Sequence, residues 1–271
     1  MHTPEIVQDD VQKLRQKQGF ICDMDGVIYH GNKLLPGVLE FVDWLHKNDK
    51  RYLFLTNSSE RSPRELAQKL GRLGLDVDES HFYTSALATA AFLKSQLLSP
   101  NDNASAYVIG EPGLFGAMYE AGYVMNEVNP EYVVVGETHS YSYDKIERAI
   151  RLVIDGAKLI ATNPDLTGPS EGGISPACRA LVAPIELATG KTAYYVGKPN
   201  PLMMRHAIKR LGVPADKTAI VGDRMDTDII AGIESELDTV LVLSGVTSRK
   251  GVDEFPYRPH YILSGVGDIV G

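Results

Sequence analysis

The first stretch with residues that could do chemistry is an apolar run, Gly19 to Cys22, followed by Asp23 and Asp25. This pattern is typical of a buried parallel strand that ends in a carboxylate pair, at the edge where open α/β sheets place their ligands. Since the two acids are two residues apart, their side chains leave an extended backbone on the same side. At ~4 Å and an effective dielectric near 20 they repel by about 4 kcal/mol, so they need a cation, a shared proton or solvent. The stretch indicates either a catalytic or metal site or a plain Asx turn.

Three later apolar runs also end in polar groups. The groups, in chain order, are Thr56 with Asn57, then Lys198, then Asp223 with the acidic loop that reaches Asp228. Each has an ordinary alternative: a strand stop, a solvated turn lysine, and acids that suit a helix N-terminus. A sheet that brought all four ends together would combine a nucleophilic carboxylate, an acid/base group, hydroxyl and amide donors, a fixed cation and a metal site. Together these are the groups that an enzyme needs for phosphoryl transfer.

Composition narrows the class of protein. The chain has 271 residues, of which 44% are hydrophobic and 23% charged, with a net charge of -8. A net negative charge argues against a nucleic-acid surface. Cys22 and Cys178 are the only cysteines, which indicates neither a disulfide framework nor a zinc site. With no apolar run near the ~20 residues of a membrane helix, the expectation is a cytoplasmic protein without membrane or nucleic-acid partners.

Strands and helices alternate along the chain, which predicts an α/β fold with parallel sheets. The first series of strands and helices extends to about residue 85. A fresh series follows, with strands predicted at Ala106 to Ile109, Tyr132 to Val135 and Lys158 to Ala161. This middle segment is long enough to form an α/β unit of its own.

Four sequence motifs, DMDGVIY, LTNSS, VGKPN and VGDRMDTDI, resemble the signature motifs of the haloacid dehalogenase superfamily of phosphatases. The resemblance continues through VGET, ATNPD, PAC and SGV, and it is closest to the NagD-type subfamily. It implies a Rossmann-like parallel-sheet core with an inserted α/β cap. The expected division is residues 1–85 for the first part of the core, 86–191 for the cap and 192–271 for the second part of the core.

The resemblance also implies roles for the acids. Asp23 would attack phosphorus and become an aspartyl phosphate, and Asp25 would act as general acid and then as general base. Mg²⁺ would be held by the Asp23 carboxylate, the main-chain carbonyl of Asp25 and Asp223. Asp228 would orient metal-bound water or Lys198, or would itself be an alternative metal ligand.

The remaining expected site residues bind substrate. Thr56, Asn57 and Lys198 would hold the phosphoryl oxygens, and Lys198 would also offset negative charge on the nucleophile. Asn163, Asp165 and the loop from Leu166 to Ser175 would select the leaving group from the cap.

Two positions depart from the family pattern. Arg179 follows the cysteine of PAC, where a small residue is usual, and Arg224 follows Asp223, where bacterial relatives often carry Asn. An arginine near a cleft could pair with a second anionic group of a substrate, so Arg179 argues against a simple UMP preference. It could equally point to solvent.

The predicted function is a Mg²⁺-dependent phosphatase that hydrolyses small phosphate monoesters, such as UMP or sugar phosphates, through an aspartyl phosphate. The alternatives are a phosphomutase or phosphotransferase built on the same core, and a non-catalytic protein that binds a phosphorylated ligand. A phosphorelay receiver is too short a domain, and no GxGxxG follows the first strand to suggest a dinucleotide-binding protein. The expected partner is a small phosphorylated metabolite, and a homodimer through the cap is a further possibility.

Overall fold

The computed structural model describes residues 8–97, 104–170 and 173–270. By its internal contacts the chain divides into two compact units. The first comprises Met1–Thr56, Ala67–Tyr83 and Pro199–Gly271, and the second comprises Asn57–Leu66 and Thr84–Lys198. These bounds differ from the expected division, since residues 57–66, 84–85 and 192–198 fall in the second unit.

The strands alternate with helices as the sequence pattern predicts. In chain order the strands are β1 (Gly19–Cys22), β2 (Tyr29–His30), β3 (Lys33–Leu34), β4 (Arg51–Thr56), β5 (Phe82–Thr84), β6 (Ser105–Ile109), β7 (Val124–Met125), β8 (Tyr132–Val135), β9 (Lys158–Ala161), β10 (Thr167–Ser170), β11 (Gly173–Pro176), β12 (Tyr194–Tyr195), β13 (Thr218–Gly222), β14 (Asp238–Val242) and β15 (Tyr261–Leu263).

The helices lie between these strands. In chain order they are α1 (Gln8–Arg15), α2 (Val38–Lys47), α3 (Pro63–Arg72), α4 (Ser85–Lys94), α5 (Pro112–Glu120), α6 (Tyr143–Ile154), α7 (Cys178–Thr189), α8 (Pro201–Leu211), α9 (Ile230–Glu234) and α10 (Gly267–Val270). Short 3₁₀ turns cover Glu79–His81, Ala215–Lys217 and Gly251–Glu254, and a π-helical turn covers Met225–Ile229.

The first unit is built on a six-stranded sheet in the order β15-β14-β13-β1-β4-β5. Its central strand β1 pairs in parallel with β13 on one side and β4 on the other. All four residues of β1 are buried, which explains its continuous apolar sequence. Helix α2 packs through one face, because its buried residues Val38, Phe41, Val42 and Leu45 recur at helical spacing.

The second unit has its own five-stranded sheet in the order β12-β9-β8-β6-β7. The pairs β6–β8, β8–β9 and β12–β9 are parallel. Apolar side chains of β8 and of helices α6 and α7 form its core, including Val133, Leu152 and Val182. β10 and β11 pair in an antiparallel arrangement. The loop from Leu166 to Ser175, expected to select the leaving group, includes Glu171 and Gly172, which lie outside the described residues.

The position of β12 corrects one expectation. The sequence suggested that a single sheet brings together four strand ends, including the one before Lys198. Instead, β12 pairs with β9 in the sheet of the second unit, so only the ends of β1, β4 and β13 share the sheet of the first unit. The local sequence of β12 does not determine its partner, because a two-residue apolar strand fits either sheet.

Across the part of the chain that the structure describes, no helix has both the length and the apolar composition needed to cross a membrane.

Candidate active site

Three neighbouring strands of the first unit end at the same edge of its sheet. β1 is followed by Asp23, β4 ends at Thr56 and β13 is followed by Asp223. The register pairs Cys22 with Val221, and the Asp23 N–H donates to the Val221 carbonyl at 2.8 Å. Because parallel strands present their C-terminal ends together, the sheet places these groups side by side, as the sequence predicted.

Three carboxylates form a cluster at this edge. Asp23, Asp223 and Asp228 each contribute an oxygen, and these oxygens lie within 4.8 Å of one another. Asp223 and Asp228 are buried, while Asp23 is partly exposed. Three acids this close repel strongly, and a bound cation would relieve the repulsion. Asp228 is therefore in the cluster itself, the alternative that the sequence left open for it.

Glycines shape the space around the cluster. A Cβ atom on Gly245 would lie 2.0 Å from the Oδ2 of Asp223, and one on Gly26 would lie 2.5 Å from the same oxygen. A Cβ on Gly222 would lie 2.1 Å from the Cβ of Asp228. The Val246 N–H donates to Asp223 Oδ2 at 2.7 Å and fixes that carboxylate. An all-oxygen donor set in this glycine-lined space fits a hard divalent cation such as Mg²⁺.

Asp25 sits in the tight turn after β1. Gly26, with φ of 78°, allows the turn, and its N–H donates to the Tyr29 carbonyl at 2.8 Å. Burial raises the pKa of Asp25, while the positive charges of His30 and Lys69 oppose the rise. The His30 Nδ1 lies 3.6 Å from Asp25 Oδ1. A carboxyl group with a raised pKa keeps its proton to a higher pH, which suits a general acid.

In the second unit, the side chain of Asn57 holds the backbone of Lys198. Asn57 Oδ1 accepts from the Lys198 N–H at 2.8 Å, and Asn57 Nδ2 donates to the Lys198 carbonyl at 3.0 Å. Nδ2 also donates to Asp165 Oδ2 at 2.9 Å. Both protons of the amide are therefore used, which corrects the expectation that this side chain donates to substrate. Asn57 is placed to position Lys198, whose side chain is only 2% exposed.

Asn163 also differs from its expected role. Its side chain is fully buried, with Nδ2 donating to the Asn57 carbonyl at 2.8 Å and Oδ1 accepting from the Asp165 N–H at 3.1 Å. A side chain without exposed surface cannot contact a substrate directly, so Asn163 is a structural residue. Asp165 is partly exposed and its Oδ2 accepts from Asn57.

The two unusual arginines have local partners. Arg224 forms two hydrogen bonds with the exposed Asp226, from Nε at 3.0 Å and from a terminal nitrogen at 2.8 Å. The Arg179 guanidinium lies 5.9 Å from the centre of the Tyr195 ring, and Arg179 itself is exposed. The pairing of Arg224 holds its charge on the surface beside Asp226.

Glu137 was not predicted as a site residue, although it lies in the VGET motif. Its carboxylate accepts from the Ser59 N–H at 3.4 Å and from Asn163 Nδ2 at 3.3 Å. Burial, together with the nearby Glu60 and Asp165 charges, raises the pKa of Glu137 to about 7. The available sequence signal was an acid two residues after the end of the apolar strand β8, with Gly136 between them, a pattern similar to the one that singled out Asp23.

The raised pKa of Glu137 predicts a pH-dependent stability. Because the folded state holds this proton more tightly than the unfolded chain does, ionised Glu137 destabilises the fold as the pH rises from 4.5 to about 7. The full effect is about 3 kcal/mol. Thermal melts of Glu137→Gln and the parent should therefore diverge, with the variant gaining about 5 °C relative to the parent between pH 5 and pH 8. The exposed control Glu120→Gln should show no such trend, and parallel melting curves for Glu137→Gln would contradict the assignment.

Comparison with known proteins identifies the family. A model of the haloacid dehalogenase-like hydrolases matches residues 20–124, and a HAD-hydrolase-like model matches residues 195–269. A dihydroxyacetone phosphatase of Corynebacterium glutamicum is 44% identical over 92% of this chain and 90% of its own length. The ribonucleotide monophosphatase NagD of Escherichia coli is 43% identical over 92% of this chain and 96% of its own length.

The solved structure of NagD from E. coli K-12 supports the same family assignment. It superimposes with a TM-score of 0.86 at 41% identity, covering 93% of this chain and 98% of NagD. The covered share is too large to be confined to either compact unit, so the likeness extends over both. The chain belongs to the haloacid dehalogenase-like hydrolases, as a NagD-like phosphatase of small phosphate monoesters.

Proposed function

We propose that this phosphatase works through an aspartyl phosphate formed on Asp23 and requires Mg²⁺. The observation that carries the proposal is the cluster of Asp23, Asp223 and Asp228, with oxygens within 4.8 Å of one another at the edge of the central sheet. Asp25 lies two residues after Asp23, in the turn that Gly26 allows. The cluster supplies a nucleophile and a cation site, and Asp25 supplies a group that can hold a proton.

The reaction proceeds in two displacements at phosphorus. A carboxylate oxygen of Asp23 attacks the phosphoryl group, and the bond from phosphorus to the leaving oxygen breaks as Asp25 gives that oxygen its proton. Asp25, now ionised, then takes a proton from a water molecule that attacks phosphorus. The bond between phosphorus and Asp23 breaks, which releases inorganic phosphate and restores both acids.

The Asp23 and Asp223 carboxylates and the main-chain carbonyl of Asp25 would hold the cation. Asp228 would either be a further ligand or support the site without contacting the cation. When bound, Mg²⁺ lowers the repulsion between the Asp23 carboxylate and the anionic phosphoryl group. Phosphatases of this family generally use a divalent metal, and the glycine-lined space around Asp223 supports this choice of residues.

Thr56 and Lys198 are the proposed ligands of the phosphoryl oxygens. Thr56 ends the strand beside Asp23, and a hydroxyl there can donate to an anionic oxygen. Lys198 would supply positive charge, and Asn57 would contribute by fixing the Lys198 backbone. Asp165 remains the candidate for contact with the leaving group.

The proposed substrates are small phosphorylated metabolites. The two curated relatives are named for dihydroxyacetone phosphate and for ribonucleotide monophosphates, which share little beyond a phosphate monoester. A mechanism that contacts mainly the phosphoryl group tolerates such variety. Nucleoside monophosphates such as UMP, triose phosphates and sugar phosphates therefore form the substrate class.

Phosphate release from a panel of these esters tests the proposal. We expect turnover with Mg²⁺, a loss of at least about 10²-fold after chelation with EDTA, and recovery when Mg²⁺ is restored. Ca²⁺ at equal concentration is the matched control and should restore less, because it accepts looser geometry and more ligands. Full activity in EDTA would contradict the metal requirement, and isomerised ester without free phosphate would indicate a mutase.

Two further expectations stay predictions. The sequence indicates a cytoplasmic location and allows a homodimer through the cap. Sedimentation of the purified chain would decide the second.

A further inference from the structure

Glu137 lies within a polar network of the second unit that includes no proposed catalytic acid. It follows β8, and its backbone N–H donates to the Ser59 hydroxyl at 3.1 Å. Its carboxylate accepts from the Ser59 N–H with one oxygen, at 3.4 Å, and from Asn163 Nδ2 with the other, at 3.3 Å. Ser59 and Asn163 are both fully buried, so the position of this carboxylate is well defined.

The network continues from Glu137 to Lys198 through two asparagines. Asn163 Nδ2 donates to the main-chain carbonyl of Asn57 at 2.8 Å, in addition to the Glu137 carboxylate. The Asn57 side chain then holds both the N–H and the carbonyl of Lys198. These contacts join residues that are 26, 106 and 141 positions apart in sequence. A change in the orientation of the Asn163 amide therefore reaches the backbone of Lys198 through the main-chain carbonyl of Asn57 and then the Asn57 side chain.

We propose that Glu137 is a positioning residue for phosphate hydrolysis, which acts through Asn163 and Asn57 to fix Lys198. The inference rests on the proposed role of Lys198 in binding the phosphoryl group. Ionised Glu137 accepts from both donors, and hydrogen bonds to a charged acceptor are about twice as strong as neutral ones. Protonation weakens both contacts, because the carboxyl group then loses its negative charge and one of its two oxygens carries a hydrogen. The ionised form is the one that holds Lys198 in place.

Charged groups around Glu137 set the pH at which this change occurs. Glu60 and Asp165 both raise the pKa of Glu137, to about 7, in addition to the effect of burial. His139 faces Glu60, with its Nε2 3.3 Å from Glu60 Oε1. Cys178 also packs nearby, and burial raises the pKa of its thiol to about 11, so it stays neutral. Replacing Asp165 would remove a hydrogen bond from Asn57, whereas Glu60 can be neutralised with the contacts of Glu137, Asn163 and Asn57 kept.

Profiles of kcat/KM against pH for p-nitrophenyl phosphate test the inference. For the parent we expect kcat/KM to fall below an inflection near pH 7, since profiles of this ratio report groups of the free enzyme. Glu137→Gln should lower kcat/KM by about tenfold at pH 8 and by less than threefold at pH 6, where the parent is itself mostly protonated. Glu60→Gln should keep the parent's plateau and move the inflection to lower pH, because it removes a neighbouring negative charge.

The two variants separate the possible outcomes. A residue that only supports the fold would lower kcat/KM by the same factor at both pH values, and such a result for Glu137→Gln would overturn the inference. An inflection unmoved in Glu60→Gln would overturn it as well, and this test stands even if Glu137→Gln fails to fold. Failure of the proposed function itself would be seen separately, as a parent that releases no phosphate or that is unaffected by Asp23→Asn.

Discussion

Asp23→Asn is expected to lower kcat/KM for phosphate monoesters by at least about 10³-fold, because the amide oxygen is a poor nucleophile toward phosphorus. The substitution keeps the size of the side chain and one oxygen at the edge of the sheet. Mg²⁺ binding, measured by calorimetry, should weaken, since one of the three clustered carboxylates loses its charge. Phosphate release at saturating Mg²⁺ separates the loss of the nucleophile from the loss of the metal.

Asp226→Asn is the matched control for this change. Asp226 lies on the same acidic loop as Asp223 and Asp228, but it is exposed and pairs with Arg224. Its replacement should leave kcat/KM within about threefold of the parent, as expected for a surface ion pair. If Asp23→Asn retained activity within tenfold of the parent, an aspartyl phosphate on this residue would be excluded.

Lys198→Met is expected to lower kcat/KM by about 10²-fold or more, since removing one preorganised electrostatic group from an active site lowers the rate by about this factor. Methionine keeps most of the length of the side chain and removes the charge. Lys198→Arg should not restore the parent rate, because a wider guanidinium does not fit a position that is 2% exposed. Steady-state kinetics with p-nitrophenyl phosphate and with UMP measure both variants.

Lys191→Met serves as the control for the lost charge. Lys191 is seven residues earlier on the segment that follows α7, and it is exposed. We expect its kcat/KM to stay within twofold of the parent. Equal losses in Lys191→Met and Lys198→Met would mean that general charge, and not the fixed ammonium group, accounts for the effect. Circular dichroism spectra of both variants verify that the fold is kept.

Much of the fold could be predicted because local patterns carry it. The apolar run of β1 and the acids that follow it predict a buried strand that ends in a carboxylate pair, and the structure confirms the strand. The apolar pattern of α2 predicts a buried face with Val38, Leu39, Val42 and Leu45, and three of these residues are buried. Leu39 is exposed, and Phe41 is buried on that face instead. In both cases the signal lies within about ten residues, so no knowledge of distant contacts is needed.

The roles of the asparagines could not be predicted in this way. Asn57 and Asn163 follow strands, and either a substrate contact or an internal hydrogen bond is compatible with that position. The Asn57 side chain holds Lys198, which is 141 residues away, and Asn163 contacts Asn57 and Glu137, which are 106 and 26 residues away. The same holds for β12, whose pairing with β9 is a long-range choice that a short apolar strand does not encode.

Residue type and local pattern were enough to predict that Asp23, Asp25 and Asp223 lie at strand ends, and that the chain has an α/β fold that gathers such ends at one edge. The tertiary structure decided how those groups are supported. It brought Asp228 into the carboxylate cluster, placed glycines where any Cβ would displace Asp223, and turned Asn57 and Asn163 inward toward Lys198 and Glu137. The reason is physical, since residue type and strand position are local properties, whereas burial and hydrogen-bond partners depend on segments that meet only when the chain has folded.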